Sequence, residues 1–129
     1  MKSTIHNEFL TIDADNKGAE LMSIKTVKDD LEYLWQADPK VWGRHAPILF
    51  PMVGKLKEDE TIIEGETYSM SQHGFARDLE FQIIGKTAES VSYELSYNEE
   101  TLKRKATERT TPIMNGKYLV GSKEDLIEK

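Results

Sequence analysis

The sequence predicts an all-β protein with antiparallel strands. From Met1 to about Tyr97, short stretches alternate apolar and polar residues with the period of two that is typical of strands. Turn residues separate these stretches at regular spacing, which favours a β-sandwich or a barrel. The alternation ends after Tyr97, and the first helix start is indicated at Asn98.

The N-terminal half contains four predicted strands. Thr4–Ile12 alternates in polarity, and Ala19–Ile24 and Leu31–Gln36 repeat the pattern. Pro47–Val53 (PILFPMV) is apolar on both faces, which favours a buried strand. Pro51 limits this strand, because a proline cannot donate to a ladder of hydrogen bonds.

The following strands have the clearest patterns. Ile62-Ile63 and Thr67–Met70 flank Glu64-Gly65, a pair that predicts a tight hairpin turn. Leu79–Ile84 and Ser90–Tyr97 alternate most regularly, and a polar connection with a single glycine joins them.

The pattern changes near the C-terminus. Asn98, followed by acidic residues, predicts the start of a short helix near residues 98–104. Beyond it, Lys117–Val120 reads as a strand, and Ser122 favours the start of a short terminal helix. We therefore divide the chain into a β-sandwich portion, residues 1–103, and a divergent tail, residues 104–129.

Composition excludes several classes of function. Charged residues make up 31% of the chain and the net charge is −6, whereas a nucleic-acid surface needs clustered lysine and arginine. The absence of cysteine excludes disulfides and thiolate chemistry. The start of the chain lacks the apolar core of a signal peptide, and no apolar run has the length of a membrane span. We expect a soluble, cytoplasmic protein without nucleic-acid or membrane partners.

The heptapeptide QHGFARD, residues 72–78, combines an imidazole, a guanidinium and a carboxylate in His73, Arg77 and Asp78. Arg44 and His45 stand just before the apolar stretch PILFPMV in the same way. If both segments enter strands at one end of a sheet, two histidines and two arginines converge on one cleft. Imidazole suits proton transfer near neutral pH, and arginine suits a bidentate grip on an anionic or polyhydroxyl ligand.

A plain turn explains the same heptapeptide. In that interpretation Gly74 supplies backbone freedom, Asp78 pairs with Arg77 or caps a turn, and His73 is merely exposed. His6, in an ordinary strand pattern, is interpreted as a surface or edge residue. We predict neither a metal site nor a cofactor, because two histidines without cysteine or close ligand spacing are a weak signal.

The two tryptophans have different predicted roles. Trp35 alternates with Leu34 and is predicted to belong to the core. Trp42 lies in a loop beside the predicted cleft, where it either stacks on the face of a sugar or anchors its own loop.

Several motifs together resemble the aldose 1-epimerase (galactose mutarotase) superfamily, and more narrowly its bacterial branch that carries HGFAR. The resemblance covers about residues 5–103, and its motifs occur in the family's order. They are Leu34–Pro39, Trp42–Pro47, Leu49–Pro51, Val53-Gly54 and Gln72–Asp78.

The resemblance implies a β-supersandwich and an isomerase of carbohydrate metabolism that interconverts the α and β anomers of hexoses or hexose 6-phosphates. A general base takes the proton of the anomeric hydroxyl while a general acid protonates the ring oxygen. His73 matches the family histidine beside that oxygen and is the expected catalytic residue. The expected substrate-binding residues are Trp42, Arg44, His45, Lys55, Arg77 and Asp78.

The chain also departs from the family. Lys55 stands where many relatives have arginine, which keeps the charge and loses the planar fork. No residue matches the second family histidine or the glutamate base, and nothing around Glu124 or Glu128 resembles the base motif. We therefore expect a truncated relative that is weakly active or inactive alone; the alternative is a non-catalytic carbohydrate-binding or structural remnant. Uncovered sheet edges predict that it forms homo-oligomers, exchanges strands or is poorly stable alone.

Overall fold

The fold is all-β with antiparallel strands, as the sequence predicts. The structure is a computed structural model that describes residues 1–63, 65–96 and 99. Apart from residue 99, the helix expected near residues 98–104 lies outside the described residues, as do the strand at Lys117–Val120, the terminal helix and the rest of the tail. The strands are β1 (Lys2–His6), β2 (Leu10–Asp15), β3 (Glu20–Thr26), β4 (Glu60–Ile63), β5 (Glu66–Ser69), β6 (Gln82–Lys86) and β7 (Val91–Glu94).

The described strands form three small antiparallel sheets. Strands β1, β2 and β3 pair in that order, β4 pairs with β5, and β6 pairs with β7. Each sheet is made of hairpins between strands that are neighbours in sequence. Edge strand β1 carries His6, which is exposed as expected.

The stretch predicted as one strand, Thr4–Ile12, is divided between β1 and β2. A turn interrupts it because the Asn7 side-chain oxygen accepts the backbone N–H groups of Phe9 and Leu10, each at 2.9 Å. An asparagine that satisfies its own downstream amides favours a turn over a continued ladder. The two strands then face each other, with Ile5 opposite Ile12.

The hairpin predicted around Glu64-Gly65 is confirmed by its flanking strands, because Ile63 pairs with Glu66 across the turn. Gly65 has φ +85°, a conformation that glycine adopts without steric cost. The predicted strands Leu79–Ile84 and Ser90–Tyr97 correspond to the shorter β6 and β7, which form the third hairpin.

Leu31–Gln36 was predicted to be a strand, and this is wrong. Its ladder pairing with β3 is limited to an isolated bridge between Lys25 and Glu32. Instead, the Glu32 carboxylate accepts the backbone N–H groups of Ile24 and Leu34 and the hydroxyl of Ser23. Partial burial raises the pKa of Glu32, but these hydrogen bonds outweigh it and lower the pKa from 4.5 to about 2.

Pro47–Val53 is not the buried strand that its apolar residues predict. The Phe50-Pro51 peptide is cis, and Phe50 is the only one of these seven residues that is buried. Pro51 has no N–H to give to a ladder, so the segment forms a single parallel bridge between Phe50 and Gly74. This bridge, between segments distant in sequence, positions the QHGFARD turn.

The core of the described residues is small and lies between the hairpins. Phe50 and Phe75 meet edge to face, with ring centroids 6.2 Å apart and an angle of 88° between the ring planes. Two further large aromatic side chains are buried: Phe81, which precedes β6, and Tyr93, which lies in β7. Both belong to the cluster of buried residues that contains Phe50, and Phe75 belongs to a second cluster.

No helix in the described part of the chain is long and apolar enough to cross a membrane.

Trp35 does not belong to this core, contrary to prediction. Its side chain is 40% exposed, and its indole N–H donates to the backbone oxygen of Trp42 at 2.8 Å. An indole has a polar edge that needs a partner, and here the partner lies at the protein surface.

Candidate functional site

The QHGFARD segment is a tight turn followed by a short 3₁₀ helix at Ala76–Asp78. His73 and Gly74 both have positive φ, +65° and +74°. The N–H of Gly74 donates to the backbone oxygen of Ser71 at 2.9 Å, which closes the turn. The predicted turn is therefore confirmed, whereas the expectation that His73 is merely exposed is wrong, because its side chain is half-buried. A turn does not exclude a functional role.

Gly74 is required by its surroundings as well as by its backbone conformation. A Cβ atom at this position would lie 2.1 Å from the backbone oxygen of Phe50 and 2.6 Å from Cδ of Pro51. The same Phe50 oxygen accepts the N–H groups of Phe75 at 2.9 Å and of Ala76 at 3.2 Å. The turn is thus held directly against the backbone at Phe50, and this contact fixes the position of the main chain that carries His73.

His73 is half-buried and bound twice to Gly54. Its backbone N–H donates to the Gly54 oxygen at 2.8 Å, and its ring Nδ1 accepts the Gly54 N–H at 2.8 Å. Nε2 lies 3.3 Å from the side-chain amide nitrogen of Gln72. The imidazole is therefore held in one orientation by the main chain of Gly54.

A polar cleft of about 330 Å³ lies beside this turn. Arg44 donates to the carboxylate of Asp78 at 2.8 Å, and Arg77 donates to the backbone oxygen of Gln72 at 2.6 Å. Nε of Arg77 is 3.8 Å from Asp78, which confirms the predicted pairing of these neighbours. Residues 43–45 and 77–78 thus meet at the cleft, although they are distant in sequence.

The β2–β3 hairpin contributes the other lining residues, none of which was predicted from the sequence. They are Asp15, Lys17, Glu20 and Met22. The hairpin reaches the site because the N–H of Gly18 donates to the Leu79 oxygen at 2.7 Å. A Cβ at Gly18 would lie 2.7 Å from the Arg77 oxygen, so a larger residue cannot approach this closely.

Glu20 holds the loop that carries His45. One of its carboxylate oxygens accepts the backbone N–H groups of His45 at 2.8 Å and of Ala46 at 2.9 Å. Charge-assisted hydrogen bonds of this kind are stronger than neutral ones. The carboxylate of Glu20 therefore fixes the backbone of the cleft loop rather than remaining free in the cleft.

The charged side chains that line the cleft balance one another. Asp15 is bound by the N-terminal ammonium at 3.1 Å, and this hydrogen bond, together with one from the N–H of Lys17, holds the pKa of Asp15 below its usual range. Three acidic and three basic residues line the cleft, so it has no net charge. They are Asp15, Glu20 and Asp78, and Lys17, Arg44 and Arg77.

The residues proposed from sequence fall into two groups. Arg44, His45, Arg77 and Asp78 line the cleft together. The convergence of both histidines on that cleft is wrong, because His73 is not among its lining residues and its ring is turned to Gly54.

The other two proposed binding residues lie near the site without lining the cleft. Lys55 follows Gly54 in sequence, is 62% exposed and lies 3.8 Å from Asp59. Trp42 is half-exposed and adjoins the lining residue Gly43, and its carbonyl is held by Trp35. Within residues 1–63, 65–96 and 99, no group of three or more histidine, cysteine or acidic side chains is arranged to hold a metal ion.

Residues 1–104 match the aldose 1-epimerase family. The chain belongs to this family. The resemblance drawn from the sequence motifs is thereby confirmed. Among curated proteins, protein LacX of Lactococcus lactis subsp. lactis is 41% identical over an alignment of 107 residues that covers 79% of this chain and 36% of LacX.

Solved structures show the same relationship. A galactose mutarotase related enzyme from Lactobacillus acidophilus is 48% identical with a TM-score of 0.79, over 80% of this chain and 34% of that protein. A galactose mutarotase-like protein from Lactobacillus casei is 42% identical with a TM-score of 0.78, over 81% of this chain and 35% of that protein. This aldose 1-epimerase family member thus spans about a third of the length of the relatives it matches.

Proposed function

We propose that this chain provides the hexose-binding part of an aldose 1-epimerase-like isomerase that interconverts hexose anomers. The observation that carries the proposal is the cleft in which the Arg44–Asp78 pair and Arg77 meet beside the HGFAR turn. Its volume falls at the lower end of the range for small-molecule sites, which suits a monosaccharide. Family membership supports the reaction class.

The reaction opens the hemiacetal ring and closes it on the other face. The anomeric hydroxyl loses a proton and the ring oxygen gains one, so polar groups are needed at both positions. Arginine donors and carboxylate acceptors recognise neighbouring hydroxyl groups of a sugar, and Arg44 and Asp78 present this combination at 2.8 Å. His73 lies on the adjoining turn, outside the lining of the cleft, and we assign it to the ring oxygen of a hexose that reaches from the cleft to this turn.

A neutral hexose suits the cleft better than a hexose phosphate. The lining charges sum to zero, so the cleft as a whole does not attract an anion. The guanidinium of Arg44 is already paired with Asp78, and a phosphate would have to displace that carboxylate.

We propose further that turnover by this chain alone is slow. The carboxylates of the cleft already have partners: the N-terminal ammonium for Asp15, two backbone amides for Glu20 and a guanidinium for Asp78. An acceptor in such a hydrogen bond must give up its partner before it can take a proton from a sugar. This favours, as a second candidate, a carbohydrate-binding function without catalysis.

Two other expectations complete the proposal. We place the protein in the cytoplasm, since hexose interconversion belongs to carbohydrate metabolism there. Homo-oligomers are the partners we propose, because the three described sheets have open edges and several large apolar side chains are exposed.

Polarimetry of freshly dissolved α-glucose and α-galactose tests the proposal. The purified chain should speed the approach to anomeric equilibrium above the buffer rate, and His73→Ala should abolish the increase. Lys28→Ala is the control, because Lys28 is exposed in the turn after β3, away from the cleft. Sugar binding is measured separately by NMR saturation transfer. Binding without an increase in the rate would support the non-catalytic alternative. The absence of both a rate increase and binding would refute both candidates.

A further inference from the structure

The ring of His73 has a hydrogen-bond partner that defines where its proton lies. Nδ1 faces the backbone N–H of Gly54 at 2.8 Å, and the backbone N–H of His73 returns a bond of the same length to the Gly54 oxygen. A peptide N–H is always a donor, so Nδ1 must offer a lone pair. Neutral imidazole carries one proton, and in this geometry the proton is on Nε2.

The neighbours of His73 also affect where this proton lies. The atom of Gln72 that lies 3.3 Å from Nε2 is its amide nitrogen, a donor, so a proton on Nε2 requires this exposed side chain to turn its amide oxygen toward the ring. Gly74 lies against the backbone at Phe50, so the main chain beside His73 has little room to move. A proton placed on Nδ1 would face the amide proton of Gly54 and cost the hydrogen bond between them.

We propose that Gly54 is a positioning residue that fixes His73 as a neutral imidazole with its proton on Nε2, and that His73 assists ring opening as a hydrogen-bond donor without giving up that proton. The role in ring opening rests on the proposed function. It differs from the acid–base role that the family resemblance led us to expect for His73.

The position of this proton determines which groups exchange protons with the sugar during ring opening. Complete transfer from Nε2 would leave an imidazolate, because Nδ1 carries no proton to compensate. His73 therefore stabilises the charge that develops on the ring oxygen as its bond to the anomeric carbon breaks and the electron pair moves to the oxygen. Water, acting as the acid, supplies the proton that stays on this oxygen, and water as the base takes the proton of the anomeric hydroxyl. A neutral histidine in triosephosphate isomerase polarises a carbonyl in this way.

Nuclear magnetic resonance of the full chain, labelled with ¹⁵N, tests the proton position without any measurement of activity. Long-range ¹H–¹⁵N correlations distinguish a protonated Nε2 from a protonated Nδ1, and His73→Asn identifies the signals of this ring by their loss. We expect a protonated Nε2 and a scalar coupling across the hydrogen bond from the Gly54 amide nitrogen to Nδ1. A proton on Nδ1, or no coupling, would overturn the proposal.

Two matched variants test the role in catalysis. His73→Gln places an amide N–H₂ near the position of Nε2 but cannot transfer a proton, and His73→Asn places its oxygen near Nδ1, keeping the acceptor for Gly54 while losing the donor. We expect His73→Gln to retain the anomerisation rate within about tenfold and His73→Asn to lose about a hundredfold or more. Equal losses in both variants would show that the imidazole transfers a proton. If the wild-type chain has no turnover, the proposed function fails while the spectra still decide the proton position.

Discussion

Replacing Gly74 with alanine should lower the free energy of unfolding far more than replacing a glycine of similar backbone conformation elsewhere. The new Cβ would lie 2.1 Å from the Phe50 oxygen, 2.4 Å from its carbonyl carbon and 2.6 Å from Cδ of Pro51. Two of these three atoms are backbone, so no side-chain rotation relieves the overlap. The turn must move away from Phe50 by roughly 1 Å to restore an ordinary contact distance.

The magnitude follows from two terms. An alanine at φ +74° costs about 1 kcal/mol relative to glycine. Moving the turn also weakens the bonds from the Phe75 and Ala76 amides to the Phe50 oxygen, at about 1 kcal/mol each. The expected loss in the free energy of unfolding is therefore about 3 kcal/mol, a large part of the stability of an ordinary domain.

Urea denaturation followed by far-ultraviolet circular dichroism measures this loss, with Gly65→Ala as the control. Gly65 has φ +85°, and a Cβ there meets nothing within 4 Å, so only the conformational term of about 1 kcal/mol applies. If Gly74→Ala does not fold while the control does, its loss exceeds the total stability of the chain. Equal losses in the two variants would refute the reasoning.

Four further predictions concern single side chains. Glu20→Ala should weaken sugar binding several-fold through a displaced cleft loop, while Glu20→Gln, which keeps an acceptor oxygen, should bind nearly as well; calorimetric titration compares them. The stabilisation from Glu32 should be complete above about pH 4.5 and disappear as the pH falls through the folded pKa of about 2. Glu32→Gln should therefore be about 1 kcal/mol less stable than the wild type at neutral pH. Its stability should also fall less than that of the wild type on acidification, and urea titrations of both proteins at several pH values compare them. Asp78→Asn should cost less than about 1 kcal/mol, and the difference should shrink at high salt, because the pair with Arg44 is partly exposed; denaturation at two salt concentrations checks both. Tyr93→Phe should leave the melting temperature unchanged or raise it, because the buried hydroxyl finds no hydrogen-bond partner among the described residues; a fall of several degrees would contradict this.

Local alternation in the sequence was sufficient to predict several strands. The hairpins β4–β5 and β6–β7 lie close to their predicted positions, because each combines regular alternation with a turn that brings neighbouring stretches together. Leu31–Gln36 has a similar alternation but was predicted wrongly. There the carboxylate of Glu32 captures the amides that a ladder would use.

The features missed in the site depend on contacts between distant segments. Pro47–Val53 has the apolar residues of a buried strand, but its neighbour is a single turn at Gly74 rather than a partner strand. Glu20 looks like any strand residue in the sequence, and its role at the cleft exists only because the β2–β3 hairpin reaches residues 77–79. Charged residues beside a short motif, such as Arg44 and Arg77, could be found because their chemistry is visible without knowledge of the fold.

The backbone oxygen of Phe50 gives direct access to the dynamics of the site. It is the common acceptor of the Phe75 and Ala76 amides, so both protons reach solvent only when the HGFAR turn separates from the segment at Phe50. Their hydrogen-exchange rates should therefore be coupled and report one local opening. A ligand that binds only the closed arrangement would slow both exchanges together, which makes this pair of amides an internal sensor of site occupancy that requires no substitution and no turnover.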